Sequence, residues 1–325
     1  MFNVEERIDM KEIVNIAIIG PGKIAPRFVK GARYVTDAKI VAVYGRTFTK
    51  ASKFAKTHQI KKVYKELDEM LADETIDLCY IATPPQTHVE YIEACLLAKK
   101  HVLCEKPMLF RKRDIDHLSE LALTNGCLLM EAQKAPYLQT TQWVKNMIAS
   151  NKLGEIIYVE ASYGYDGTKF GDDHWAFDPE SGGSLWDVGV YPIAFFLSIL
   201  PDDPIESFTR IIHPHSRGSD NFGHLQVKTS NNVVGSLSSS LMCNQVNTAR
   251  VYGTKGMIII ENYWKANQLT WISSEDEIKT LSFDDPTDFA PYIDHAVDCI
   301  KKGLLESPIY NKKHWYEQVR LITSK

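Results

Sequence analysis

The first part of the chain alternates short apolar runs with longer stretches of helical periodicity. The run Val14-Asn15-Ile16-Ala17-Ile18-Ile19 is almost continuously apolar and ends at Gly20, which is typical of a strand buried on both faces of a parallel sheet. The pattern predicts strands at 14–19, 40–44, 63–64, 78–82, 101–104 and 128–130, and helices at 23–34, 50–58, 67–71, 87–98 and 114–125. Strands that alternate with helices predict right-handed βαβ units and a doubly wound parallel sheet.

The pattern changes near residue 150. After a predicted helix at 139–150, strand-like runs follow one another with few helices between them, at 156–162, 206–213, 223–229, 233–241, 248–252, 257–261 and 268–272. Two helices, predicted at 291–302 and 313–323, come last. Strands in succession predict an α+β unit with a largely antiparallel sheet.

Length and composition indicate a globular protein of two domains. The chain has 325 residues, of which 44% are hydrophobic and 24% are charged, which excludes a mainly disordered chain. The formal net charge is -4 without a dense Lys/Arg block, so no partner of the nucleic-acid or anionic-membrane class is indicated. The N-terminus is acidic, and the most apolar stretch, 190–200, is shorter than the ~20 residues that span a bilayer. We expect a cytoplasmic protein without a membrane anchor.

The six cysteines are not spaced as redox pairs or metal ligands. No two form a C-x-x-C motif, and none neighbours a histidine at zinc-binding spacing. We expect reduced thiols that pack as small apolar side chains, and no metal site. A zinc dehydrogenase is disfavoured for the same reason.

A glycine-rich turn follows the first predicted strand. Gly20-Pro21-Gly22-Lys23-Ile24-Ala25 matches the pattern G-x-G-x-x-A and opens the first predicted helix. Gly20 permits the tight turn, and Gly22 lets the backbone approach a pyrophosphate, which the start of the helix attracts through its free N–H groups. The motif predicts dinucleotide binding, with Lys23 and Ile24 beside the phosphates.

The end of the second predicted strand bears on the choice of nucleotide. An NAD site usually has Asp or Glu there for the ribose 2′-hydroxyl, but residues 43–50 contain no carboxylate. Arg46 stands in that neighbourhood, with Thr47 and Lys50 as further donors, and arginine pairs well with a 2′-phosphate. We predict NADP as the cofactor and leave NAD open.

Candidate residues also follow later strands, whose carboxyl ends line the ligand crevice of a doubly wound sheet. Thr83 and Pro84 come after strand 78–82, and His88 follows as either a cofactor contact or a structural residue of the helix. Glu105 and Lys106 come after strand 101–104. A lysine in that position can bind a substrate hydroxyl or lower the pKa of a neighbouring acid.

A glycine-led segment, Ser181 to Pro192, carries a carboxylate and a phenol. If the segment is helical, Asp187 and Tyr191 share one face at i and i+4. Tyr191 is a plausible acid/base only if a nearby cation lowers its pKa from about 10, and Lys106 is the candidate cation. Without such a cation Tyr191 is a buried core residue. Pro192 also requires that Tyr191 lie near a helix start or a kink.

These motifs together resemble the Gfo/Idh/MocA oxidoreductases over nearly the whole chain. The motifs that occur in the family's order are Gly20-x-Gly22-x-x-Ala25, Thr83-Pro84 with His88, Glu105-Lys106-Pro107, Leu153-Gly154-Glu155-Ile156, Gly182-Gly183 with Asp187, Gly189 and Tyr191, and Gly253-Thr254-Lys255-Gly256. Many members have His where this chain has Tyr191. The tyrosine form is similar to the branch that contains glucose-fructose oxidoreductase, dimeric dihydrodiol dehydrogenase and NADP-dependent D-xylose dehydrogenase, which generally uses NADP.

The resemblance implies a Rossmann domain at 1–133 and an α/β domain at 134–311 with an open, mainly antiparallel sheet, with helix 312–325 packing back on the first domain. That sheet commonly forms a dimer interface, so a homodimer or a dimer of dimers is expected. By the match, Lys106 and Tyr191 handle the proton and Asp187 faces the substrate. Glu105 and Pro107 frame the loop on the nicotinamide side.

The resulting hypothesis is an enzyme that moves hydride between nicotinamide and a sugar, polyol or trans-diol. Asp173, His174, Trp175 and Phe177 precede the glycine-led segment and either line the substrate pocket or pack in the core. One alternative is a non-catalytic dinucleotide-binding regulator of the same fold, against which the presence of both Lys106 and Tyr191 counts. Another is an NAD-dependent glycoside hydrolase, against which the tyrosine and the missing acid after the second strand count.

Overall fold

The first sheet contains six parallel strands. The computed structural model describes residues 12–171 and 174–324. The strands of this sheet are β1 (Val14–Ile19), β2 (Ala38–Tyr44), β3 (Lys62–Tyr64), β4 (Leu78–Ile81), β5 (His101–Glu105) and β6 (Leu129–Ala132). Their order is β3-β2-β1-β4-β5-β6. The order reverses between β1 and β4, and in such a sheet the ligand crevice lies outside the carboxyl ends of the strands at this point.

Helices cover both faces of this sheet. They are α1 (Ala25–Ala32), α2 (Phe48–His58), α3 (Leu67–Leu71), α4 (His88–Leu97) and α5 (Lys112–Thr124). Because helices lie on both faces, the central strands have no solvated side: Leu78 to Ile81 are fully buried, and so are the apolar side chains of β1. The continuous apolar runs thus correctly predicted a doubly wound parallel sheet.

The second sheet has eight strands and is mostly antiparallel, as predicted. Its strands are β7 (Ile156–Gly164), β8 (Ile205–Pro214), β9 (Asp220–Thr229), β10 (Val234–Ser240), β11 (Thr248–Gly253), β12 (Gly256–Glu261), β13 (Gln268–Ser273) and β14 (Ile278–Ser282). The order is β14-β13-β12-β11-β7-β10-β9-β8, and only β7 and β10 pair in parallel. The pattern missed β14, because this edge strand is largely exposed and lacks an apolar face.

The remaining helices connect the two sheets. They are α6 (Gln139–Ala149), α7 (Val190–Ile199), α8 (Ala290–Lys301) and α9 (Lys312–Thr323). Helix α7 packs against α6, β7 and β10, and nearly all of its side chains are buried. Helix α8 packs on α1 and β2, whereas α9 contacts α5, α7 and β8. The end of the chain therefore returns to the first sheet.

Two chemical features of the described residues bear on the expected class of protein. Within residues 12–171 and 174–324, no helix combines the length and the apolarity needed to cross a membrane. Five cysteines are buried and Cys243 is exposed, and all six thiols are free. Burial raises the pKa of Cys95, Cys104 and Cys127, which keeps these thiols protonated.

Candidate active site

The glycine-rich turn between β1 and α1 is too crowded for a side chain at Gly20 but is open for a ligand at Gly22. Gly20 has φ +91°, and a Cβ there would lie 2.8 Å from Thr83 Cγ2 and 3.0 Å from the backbone of Ala82. The Gly20 N–H donates to the Tyr44 carbonyl at 2.9 Å, which fixes the turn against β2. At Gly22 the nearest atom to a Cβ would be the Ala82 carbonyl oxygen at 3.7 Å, so its outer side is open. These residues fit a dinucleotide pyrophosphate, held at the start of α1.

Lys23 and Ile24 complete this turn before α1 begins at Ala25. Lys23 is exposed, and Ile24 is partly buried against the core. In the first turn of α1, Pro26 has no N–H and the Arg27 N–H donates to the Ile24 carbonyl oxygen at 2.9 Å, so phosphate oxygens would be met by the backbone N–H groups that precede Pro26. The structure thus places both predicted residues at the start of the helix.

The carboxyl end of β2 carries the predicted nucleotide-selecting side chains. Arg46 follows Gly45 and is exposed, within electrostatic range of the Tyr91 phenol. Thr47 precedes α2 in extended conformation, and Lys50 lies exposed in the first turn of that helix. Since the Gly20 N–H is bonded to Tyr44 at the same strand end, these donors lie at the edge that the glycine turn faces.

His88 holds two loops of the site together. Its imidazole is fully buried, with Nδ1 3.0 Å from the Pro107 carbonyl oxygen and Nε2 3.1 Å from the Thr83 carbonyl oxygen. Burial lowers its pKa to about 4, so the ring is neutral at pH 7. Both ring nitrogens face backbone carbonyl oxygens, and the neutral imidazole has one N–H with which to donate to one of them. This geometry favours the structural alternative for His88, in which it positions Thr83 and Pro84 near the carboxyl end of β4, over a direct contact with the cofactor.

Lys106 and Asp187 meet where the two sheets come together. The Lys106 ammonium donates to the Asp187 carbonyl oxygen at 2.6 Å and to Asp187 Oδ1 at 3.1 Å. The Tyr165 hydroxyl donates to the other oxygen, Oδ2, at 2.6 Å. The Lys106 side chain is only 14% exposed, so its charge is matched locally by the carboxylate. The carboxylate is oriented by hydrogen bonds to both of its oxygens.

The glycine-led segment shapes the turn that presents Asp187. Gly183 has φ +105°, and a Cβ there would lie 2.2 Å from Asp220 Oδ1. The same carboxylate accepts hydrogen bonds from the Ser184 hydroxyl at 2.5 Å and the Leu185 N–H at 3.0 Å. Asp220 thereby anchors a short π-helix, Leu185–Gly189, which leads directly into α7.

Tyr191 lies in the first turn of α7, as the position of Pro192 predicted. Its side chain is 8% exposed. The centre of its ring is 5.1 Å from the Lys106 Nζ and 5.4 Å from the ring of Tyr163. Lys106 and Tyr191 are therefore neighbours, although the lysine charge is shared with Asp187.

The pKa of Tyr191 is raised well above its usual value. Burial is the main cause, and the neighbouring Tyr163, Glu105 and Asp187 add to it, whereas Arg27 opposes it. The sequence led us to expect a lowered pKa from Lys106. In the protein without cofactor, desolvation outweighs the nearby cations, and the phenol keeps its proton.

The predicted substrate residues differ in their surroundings. His174 lies within electrostatic range of Asp187 and Lys23, and burial lowers its pKa. Trp175 is partly exposed next to it, with the two ring centres 5.9 Å apart. Phe177 is buried and stacks on His215 at 4.5 Å, so it packs in the core. Asp173 lies outside the described residues.

Sequence reasoning missed several side chains around Tyr191. Tyr163 lies near the end of β7 and Tyr165 directly follows the strand, with their ring centres 6.3 Å apart. Tyr163 also stacks on Trp264 at 3.8 Å. The alternation of tyrosines around Gly164 was the available signal. Lys134, whose Nζ is 5.7 Å from the centre of the Tyr191 ring, gave no signal in the sequence.

No metal centre is present among the described residues. Within 12–171 and 174–324, no group of three or more His, Cys, Asp or Glu side chains is placed to hold a metal ion.

The fold and the site define a dinucleotide-binding oxidoreductase, and family comparison identifies it. The model of the oxidoreductase family with an NAD-binding Rossmann fold, GFO/IDH/MocA, matches residues 14–133, and its C-terminal domain matches residues 141–259. The chain belongs to the GFO/IDH/MocA oxidoreductase family.

Known relatives cover most of the chain. The trans-1,2-dihydrobenzene-1,2-diol dehydrogenase of Mus musculus is 28% identical over 301 residues, which is 90% of each chain. The enzyme of the same name from Homo sapiens is 27% identical over 282 residues, or 84% of each chain. These relatives agree with the branch to which the sequence was similar.

Solved structures show the same fold at lower identity. The aldose-aldose oxidoreductase from Caulobacter crescentus, complexed with glycerol, superposes with a TM-score of 0.85 at 20% identity and 95% coverage of both chains. A 3-ketoreductase from Actinomadura kijaniata in complex with NADP has a TM-score of 0.80 at 22% identity, covering 95% of this chain and 96% of its own.

The two glycines of the turn are expected to respond differently to a methyl group. Gly22→Ala leaves the stability of the cofactor-free protein unchanged, because its Cβ meets no close atom, but it obstructs the pyrophosphate and raises the Kd for NADP+ about tenfold or more. Gly20→Ala lowers both the affinity for NADP+ and the folding stability, because a Cβ at this positive φ costs about 1–3 kcal/mol of folding stability. Thermal melting without cofactor and fluorescence titration with NADP+ measure the two effects. Equal loss of stability in both variants would contradict this assignment.

Proposed function

We propose that the protein oxidises a hydroxyl-bearing carbon of a diol, sugar or polyol with NADP+, and reduces the corresponding carbonyl in reverse. The observation that carries this proposal is the meeting of Lys106, Asp187 and Tyr191 at the carboxyl end of β5. This place adjoins the glycine turn, which fits a dinucleotide. A lysine and a phenol side by side next to a nicotinamide are suited to move the proton that accompanies hydride transfer.

The glycine-rich turn, Gly20 to Ile24, and Arg46 would hold the oxidised dinucleotide, which would supply the acceptor for the hydride that leaves the substrate carbon with its electron pair. The Tyr191 phenolate takes the proton of the reacting hydroxyl, and the carbon–oxygen single bond becomes a carbonyl. In the opposite direction, the phenol of Tyr191 returns this proton to the developing alkoxide. Lys106 stabilises the tyrosinate by its charge. Asp187, whose carboxylate is held by the Tyr165 hydroxyl, orients the lysine and accepts a hydrogen bond from a second hydroxyl of the substrate.

The substrate class is supported by the relatives and by the walls of the site. The similar enzymes are named as dehydrogenases of a trans-diol. The aromatic rings of Tyr163, Tyr191 and Trp264 lie close together beside Asp187, with Tyr191 and Trp264 centred 6.3 Å apart. An apolar wall next to an oriented carboxylate suits a small ring that bears neighbouring hydroxyls. We therefore place trans-diols and cyclic sugars first among substrates.

Assembly is proposed through the outer face of the second sheet. The strand register aligns Tyr158, Tyr252, Met257, Ile272 and Ile278 across β7, β11, β12, β13 and β14. Residues directly opposite each other in a sheet share one face, and none of these five side chains is buried within the chain. A continuous apolar row of this kind supports a homodimer, or a dimer of dimers, formed by this sheet of the 134–311 domain.

Tyr191→Phe is expected to lower kcat about 10²–10⁴-fold, because it removes the acid/base while keeping the ring. Activity is followed as the appearance of NADPH with a panel of trans-1,2-dihydrobenzene-1,2-diol, D-xylose, D-glucose and glycerol. The matched control is Tyr137→Phe, which removes a buried phenol that donates to Ser307, away from the site. Full turnover by Tyr191→Phe would refute the role of this tyrosine. Release of an aryl alcohol from an aryl glycoside, with no NADPH accumulation, would favour the glycoside hydrolase.

Arg46→Ala is expected to raise the KM for NADP+ about 10–100-fold while leaving the KM for NAD+ unchanged. The reason is the loss of a charge-assisted hydrogen bond to the 2′-phosphate, worth about 1.5–3 kcal/mol. Arg33→Ala is the control, since Arg33 is an exposed arginine at the C-terminal end of α1, whereas the glycine-rich turn lies at the N-terminal end of that helix. Equal effects of Arg46→Ala on both nucleotides would show that Arg46 does not read the phosphate.

Met257→Glu is expected to convert the oligomer to monomers, because it places a charge in the middle of the apolar row. Light scattering coupled to size exclusion measures the mass. Val246→Glu is the control, since Val246 is 76% exposed and lies outside the row. A monomeric wild-type protein, or an oligomer that survives Met257→Glu, would contradict this interface.

A further inference from the structure

A second lysine, Lys134, lies against the Tyr191 ring from a different element. It follows β6, and its side chain is 7% exposed. Its Nζ is 5.7 Å from the centre of the Tyr191 ring and 5.4 Å from that of Phe289. A lysine so deeply buried needs a partner, and the partner is Asp288, whose Oδ2 is 2.7 Å away.

The same carboxylate oxygen holds a second cation. Arg27, in the first turn of α1, donates to Asp288 Oδ2 at 2.6 Å, and its guanidinium lies 4.8 Å from the centre of the Phe289 ring. Burial opposes the ionisation of Asp288, but Lys134 and Arg27 together hold its pKa below the ordinary value. Two cations share one anion here, so this cluster carries a net positive charge.

The balance of charge around Tyr191 shows what this cluster contributes. The charged groups around the Tyr191 side chain are Lys106 and Lys134, beside its ring, Arg27, Glu105 and Asp187, and Asp288, which pairs with Lys134. The neighbouring phenols are Tyr163, Tyr165, Tyr263 and Tyr292. Asp187 matches Lys106, whereas Glu105 is buried, accepts a hydrogen bond from the Tyr80 hydroxyl at 2.6 Å and has its pKa raised by burial. Lys134 and Arg27 share the single carboxylate of Asp288, so Lys134 adds positive charge beside the Tyr191 ring.

We propose that Lys134 is a positioning residue for the proposed reaction: held against the ring of Tyr191 by Asp288, it supplies the positive charge that makes the tyrosinate accessible. It acts through Tyr191 and does not touch the substrate. The charge of Lys106 is matched by Asp187, which lies 3.1 Å from its ammonium, whereas Asp288 is shared by Lys134 and Arg27, so this second cluster leaves positive charge in excess near the ring. The inference rests on the proposed acid/base function of Tyr191.

The test is the pH profile of kcat for diol oxidation at saturating NADP+. Oxidation requires the tyrosinate, so kcat rises with pH as Tyr191 loses its proton, and this rising part of the profile is its ascending limb. Lys134→Met removes one positive charge from beside the phenol, which raises the pKa of Tyr191, so the rising part of the pH profile moves up by about one to two pH units. At neutral pH kcat falls about 10–100-fold, while the KM values for the diol and NADP+ stay unchanged. Lys134→Arg keeps the charge and restores the wild-type limb.

A matched control separates the loss of charge near Tyr191 from the loss of any buried lysine. Lys100 is also buried and donates to the carbonyl oxygens of Asp73 and Ile76, far from the site. Lys100→Met is expected to lower the melting temperature without moving the limb. If Lys134→Met does not fold, Arg27→Gln decides, because Arg27 is 50% exposed and its loss shifts the limb upward by a smaller amount.

The outcomes distinguish this inference from the function on which it rests. The substrate is trans-1,2-dihydrobenzene-1,2-diol, replaced by D-xylose if the diol is not turned over. The role of Lys134 is overturned, and the proposed function stands, if Tyr191→Phe is inactive but the ascending limb of Lys134→Met does not move. Arg27→Gln replaces Lys134→Met in this comparison if Lys134→Met does not fold. Full activity of Tyr191→Phe, or no turnover of either substrate by the wild type, counts against the proposed function itself.

Discussion

The contact between Lys106 and Asp187 is the constraint on which the arrangement of the site depends. Lys106 leaves the first sheet at the end of β5, whereas Asp187 stands before α7 and below the second sheet. A largely buried ammonium requires a carboxylate at close range, and removing either partner would strand the other charge. This ion pair is thus one of the contacts that fix the positions of the two sheets relative to each other. Gly183, Asp220 and the π-helix, Leu185–Gly189, then determine which way the carboxylate faces.

Most of the fold could be predicted from the sequence because its strands are buried on two faces or alternate on one. The continuous apolar run of β1 and the glycine turn after it determined the class of the first sheet. Strand β14 could not be predicted in the same way, since an edge strand that is mostly exposed carries no apolar period. The pairing of β7 with β10 was also beyond reach, because these parallel neighbours are separated by the whole of α7, β8 and β9.

Two kinds of signal predicted candidate site residues: the ends of strands, and the glycine-led segment that carries Asp187 and Tyr191. Lys106 and the glycines follow strands directly, so topology alone brings them to one edge. Lys134 and Asp288 are 154 residues apart, so no local sequence pattern predicts that they form an ion pair. The environment of Tyr191 was predicted in part: the neighbouring cation is present, but burial dominates its pKa. The burial of the His88 imidazole between the Thr83 and Pro107 carbonyl oxygens depends on two loops that are distant in sequence, so local pattern could not predict it.

The return of α8 and α9 to the first sheet has a consequence for engineering. A chimera joined once after β6 would strip α1 and α5 of the helices that cover them, and would also separate Arg27 from Asp288. In architectural terms, the segment from β7 to β14 is an insertion within a dinucleotide-binding unit that the end of the chain completes. Exchange of that insertion at two junctions, before β7 and after β14, is the recombination that keeps the helices of the nucleotide-binding unit together while replacing the segment that carries Asp187 and Tyr191.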